Sequence, residues 1–71
     1  MGSNNELVIL EDLYLIVVRP MSKLFAYDEK PEDGAGFWVP NSLIKHTDIA
    51  EVGEQGFISI PEWKAEELDL I

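Results

Sequence analysis

The chain has 71 residues, 46% of them hydrophobic and none of them cysteine, and its fourteen acidic against five basic residues give a formal net charge of −9. That length accommodates one domain. It leaves no disulfide framework, and a zinc site of the usual kind is excluded by a single histidine and no thiolate. The charge repels phosphate backbones and attracts basic surfaces, the opposite of what sequence-general nucleic-acid binders carry.

A domain this small buries only about 60% of its unfolded surface, so homo-oligomerisation is a reasonable further source of stability. No run of 18 apolar residues is present, which excludes a transmembrane helix. Residues 13–18 are apolar but too short, and lack the basic lead-in of a signal peptide. Met1-Gly2-Ser3 opens like a myristoylation signal, yet Glu6 stands where that signal takes Ser or Thr. Together with the absence of cysteine, this predicts a cytoplasmic location with no membrane partner.

Residues 1–5 are small and polar, and read as a disordered N-terminus; residues 6–71 read as a single small β-rich domain. From Leu7 the chain is apolar, β-branched and aromatic through Arg19, which argues strand. Glu11-Asp12 interrupts it and predicts a bend within one long strand. Pro20-Met21-Ser22-Lys23 reads as a hairpin turn and residues 24–27 as the return strand. Residues 28–36, with two glycines, a proline and the acids Asp28, Glu29, Glu32 and Asp33, read as an exposed loop.

Phe37-Trp38-Val39 is a third strand, antiparallel to the second, and Pro40 ends it. Asn41 or Ser42 then caps a short helical turn. Residues 46–51 show no clear period, and residues 52–56 read as a turn. Phe57-Ile58-Ser59-Ile60 is a further strand. Pro61 opens a helix over residues 62–68, where its fixed φ suits the first turn and Glu62 sits favourably at the positive end of the dipole. Leu68, Leu70 and Ile71 predict a tail that folds back on the sheet. The two tryptophans, the largest apolar groups, are expected to be buried, with Trp38 in the main core. The fold class is mostly β: a small antiparallel sheet, or a partly closed barrel of SH3 or OB type, with a short C-terminal helix.

Three stretches carry a resemblance: Lys23-Leu24 on the return strand, Trp38-Val39-Pro40-Asn41-Ser42, and Ile58-Ser59-Ile60-Pro61-Glu62-Trp63 before the ending Asp69-Leu70-Ile71. Over residues 8–71 the chain resembles a family of short proteins encoded by phages and mobile elements, with a W-[IV]-P-x-S junction and a terminal [VI]-x-[VI]-P-E-W helix. Asn41 departs from the family's usual Lys, and the loops 28–36 and 46–56 are longer. The family has no assigned chemistry, so the resemblance implies a fold and a phage-type origin, and no catalytic role passes to Ser42.

Ser42, His46 and Asp48 invite a triad reading, but no glycine-flanked elbow surrounds Ser42. The acids of residues 28–33 lack the spacing of a calcium loop and read as solvated. Tyr14, Phe25, Tyr27, Phe37 and Trp38 suggest a base-stacking platform, yet Arg19, Lys23, Lys30, Lys45 and Lys64 are scattered, and core packing is the simpler use of most of these rings. Tyr14 and Tyr27 are candidates for surface rings.

What remains is the charge. Asp28, Glu29, Glu32 and Asp33 in the loop and Glu62, Glu66 and Glu67 on the helix are the candidate partner-binding residues, imitating a phosphate backbone. The expected function is non-catalytic protein binding without cofactor or metal. The partner is a host nucleic-acid-handling or defence protein with a basic surface, and there is no direct nucleic-acid contact. The alternative is an accessory role in phage DNA metabolism, with contact to single-stranded nucleic acid.

Overall fold

A computed structural model of the chain describes residues 6–32 and 35–71; the expectation for residues 1–5 falls outside them. The described elements are β1 (Leu7–Val18), β2 (Ser22–Ala26), β3 (Phe37–Pro40), a 3₁₀ turn (Asn41–Leu43), β4 (His46–Thr47), β5 (Gln55–Pro61) and the helix α1 (Glu62–Glu67). They form one antiparallel sheet of five strands in the order β3-β2-β1-β5-β4. This is the predicted mostly-β fold with its short C-terminal helix.

The long first strand is bent, as Glu11-Asp12 suggested. Its register against β5 shifts between Leu10 and Leu13, and Asp12 takes a φ of 61° there. A second shift lies between Leu15 and Val17, against β2. Bulges add twist and turn the strand, so the first half of β1 pairs with β5 and the second half mainly with β2.

The sheet is curled by its own connectivity. β3 ends opposite Ser22, beyond the end of β1, whereas β4 begins opposite Ser59, which pairs with Ile9. In a flat sheet these points would lie four strand spacings apart, roughly 19 Å, and about 30 Å apart along the strands. The segment from Pro40 to His46 spans at most about 20 Å, so the sheet must coil to bring its edges toward each other. It stays open in hydrogen bonding, because β3 and β4 are both edge strands.

The concave side holds the core: Leu10, Leu13 and Leu15 of β1, Phe25, Val39, Ile58 and Ile60, closed by Ile49 and Ala65. Leu43, Ile44, Leu68 and Leu70 pack against it from the 3₁₀ turn and the chain end. The tail folds back by a specific device. Asp69 adopts a left-handed φ of 60°, its N–H donates to the Glu66 carbonyl, and the Leu70 N–H donates to that of Ala65. This is a Schellman cap with aspartate in place of the usual glycine, and it delivers Leu70 to the core. Ile71 remains exposed.

Three expectations are corrected. Neither tryptophan is buried: Trp38 is 43% and Trp63 38% exposed. On β3, Val39 takes the inward position at 0% exposure, and side chains alternate across a strand, so its neighbour Trp38 must face outward. Nor does a side chain cap the 3₁₀ turn. Pro40 occupies the cap position, while the Asn41 side-chain amide donates instead to the Pro20 carbonyl. Finally, β2 and β5 begin earlier than expected, at Ser22 and Gln55.

Candidate protein-interaction surface

The predicted acidic residues divide by local structure. Asp28, Glu29 and Glu32 lie exposed between β2 and β3; Asp33 falls outside the described residues. On α1, Glu66 and Glu67 are exposed and Glu62 is half-buried, its N–H donating to the Glu6 carbonyl at 2.7 Å. Glu67 accepts from Lys64 Nζ at 2.6 Å, the one ion pair among the described residues.

The register brings the two sets toward one end of the sheet. β2 leaves the ladder opposite Tyr14, heading toward the N-terminal end of β1, so residues 28–32 start from the middle of that strand. β5 ends opposite Leu7, and α1 follows it. The two sets therefore flank the N-terminal half of β1 from its two sides, and Glu11 and Asp12 in the bulge add exposed carboxylates.

Other acids build turns. Asp48 Oδ1 accepts the Phe57 N–H at 2.9 Å, and Glu54 Oε1 accepts the N–H groups of Ala50 and Glu51 at 2.7 and 2.8 Å. Asp48 thus joins the loop to β5, and the triad reading has no geometry behind it: Ser42 and His46 are exposed, and neither side chain hydrogen-bonds to another described residue.

The opposite end is different in kind. Residues 13–27 and 35–47 contain no acid. Arg19 follows β1 and Lys23 lies in β2, while Lys45, whose N–H donates to the Ser59 carbonyl, reaches back with its Nζ to the Ser42 carbonyl at 2.9 Å. Arg19 lies over the Trp38 ring, 6.0 Å from its centroid, a distance at which cation–π attraction acts. Leu24 pairs directly with both Trp38 and Val17, so Val17, Leu24 and Trp38 make one row on the convex face. Met21, 80% exposed, sits at the adjoining turn.

Reading the sequence alone missed this cluster, because adjacency of Arg19 and Trp38 depends on strand register. The absence of acids over residues 13–27 was the available signal. Of the tyrosines, Tyr27 is exposed and touches Phe37, with ring centroids 6.2 Å apart, while Tyr14 is half-buried. No group of acids and histidines among the described residues is arranged to hold a metal ion. Among the described residues no helix is long and apolar enough to cross a membrane. No family model, no curated protein and no solved structure matches the chain.

Proposed function

We propose that the chain is a non-catalytic protein-binding module that presents carboxylates to a basic partner, as a mimic of a phosphate backbone. The observation that carries this reading is that Asp28, Glu29, Glu32 and Glu66 are exposed and form no ion pair with another described residue, at the same end of the sheet. Charges left free on a surface repel one another in the free molecule and steer a partner of opposite sign. The resemblance to phage-encoded proteins makes a host nucleic-acid-handling or defence protein the expected partner, in the host cytoplasm.

A second reading draws on the Arg19–Trp38 stack with Lys23 nearby. An aromatic ring beside cations is the element that single-strand binders repeat along a groove, which keeps an accessory role in phage DNA metabolism as the alternative.

One experiment separates them. The wild-type protein is immobilised beside two variants, one with Asp28, Glu29, Glu32 and Asp33 changed to Lys and one with Glu62, Glu66 and Glu67 changed to Lys. Mimicry predicts a captured host protein that duplex DNA displaces and that at least one variant fails to hold. Capture unaffected by DNA and by both reversals would overturn it. Saturable binding of a labelled single-stranded oligonucleotide to the wild type, abolished by Trp38→Ala, would establish the alternative.

A further inference from the structure

The free edge of the sheet at β3 has the backbone pattern, the face pattern and the charge pattern of a two-fold contact. The backbone pattern follows from two hydrogen bonds. The Asn41 N–H donates to the Met21 carbonyl, and the Arg19 N–H donates to the Ser22 carbonyl. In an antiparallel ladder, residues alternate between bonding to one neighbour and facing away from it. Asn41 therefore sets the parity of β3: Val39 and Phe37 bond to β2, while Trp38 directs its N–H and carbonyl to the open side. Ser22 agrees, because it pairs with Pro40 yet spends its carbonyl on β1. Pro40 has no N–H to lose, which is why a proline is tolerated there. What the edge offers is the Trp38 N–H and carbonyl; the Pro40 carbonyl, at the N-cap of the 3₁₀ turn, is engaged by that turn.

A second copy of β3 laid antiparallel with Trp38 opposite Trp38 satisfies this edge. Each Trp38 N–H then donates to the other's carbonyl. The faces agree as well. Phe37 falls opposite Val39, so inward residues meet inward residues and the two exposed Trp38 rings pair on the convex side. A one-residue slip would set Trp38 against Val39 and mismatch the faces.

The charges agree in the same register. Antiparallel pairing lays the start of one β3 beside the end of the other. The start follows Asp28, Glu29 and Glu32; the end adjoins Lys23 and the 3₁₀ turn that holds Lys45. Each acidic loop thus comes toward the other copy's acid-free, cationic end, twice over by symmetry. This complementarity is what a −9 chain needs in order to meet itself. We propose that the protein self-associates as a two-fold dimer through β3, with Trp38 on the axis.

The proposal engages the same loop acids as the binding reading above, but its test uses the purified protein alone. Sedimentation equilibrium of the wild type at low salt is expected to show a concentration-dependent monomer–dimer equilibrium that weakens as salt rises. Trp38→Pro removes an N–H that β2 does not use, and should abolish the dimer while circular dichroism stays native. Lys23→Glu with Lys45→Glu, on exposed or half-buried positions, should weaken it by roughly tenfold or more. A wild type that remains monomeric at high concentration overturns the proposal. So does a dimer whose strength neither variant changes. If Trp38→Pro fails to fold, the lysine pair decides.

Discussion

Trp38 and Phe25 show how poorly side-chain size predicts place. Both are aromatic and both lie in the β2–β3 hairpin, yet Phe25 is 1% exposed and Trp38 is 43%. Inward position on the concave face was taken by Val39, one residue on, and parity then fixed Trp38 outward. The consequence for stability is direct. Removing a buried ring costs about 3–5 kcal/mol through lost burial and the cavity left behind. Phe25→Ala is expected to lose that much in urea denaturation. Trp38→Ala is expected to lose about 1 kcal/mol or less, since much of its ring is already in water. Similar losses from the two substitutions, measured below the dimerisation range, would mean that Trp38 belongs to the core after all.

The elements were legible where the physical signal is local. Prolines marked the ends of β3 and β5, the β-branched run marked β1, and Glu11-Asp12 marked its bend, because charged residues in an apolar strand must be turned out to water. What stayed hidden was non-local. Residues 46–51 carry no period because β4 is only two residues long and held by pairing with β5. The outward stack of Arg19 on Trp38 required the register of three strands. The acidic loop was legible as exposed from composition, but its placement at the same end as α1 followed only from topology.

The bend in β1 carries a prediction of its own. Asp12 sits in the left-handed region at φ 61°, which a β-branched residue occupies at a cost of about 1–2 kcal/mol more than Asp, Asn or Gly. Asp12→Val should lower stability by that amount, and Asp12→Gly should be nearly neutral. If Asp12→Val were as stable as the wild type, β1 would not depend on this bulge to serve both β5 and β2.

At the scale of the whole molecule, the charge works against the fold that carries it. The described acids make one ion pair with a base, so most of the −9 is felt as repulsion between carboxylates gathered toward one end. Such self-repulsion destabilises a compact state and is screened by salt. Raising NaCl from ~0.05 M to ~0.5 M shortens the screening length from about 14 Å to about 4 Å. The melting temperature should therefore rise over this range, at protein concentrations low enough to keep the chain monomeric. Changing Asp28, Glu29, Glu32 and Asp33 to Lys moves the net charge from −9 to −1, two units for each of four residues. The side chains at the described positions of that set are exposed and make no hydrogen bond to another described residue, so the variant should fold, melt higher than the wild type at low salt, and lose most of the salt response. A wild type whose melting temperature ignores salt, or a variant that melts lower at low salt, would show that the carboxylates are spaced widely enough for water alone to screen them. The acidic end would then impose no strain for a basic partner to relieve, and mimicry would lose the energetic reason for placing the charges together.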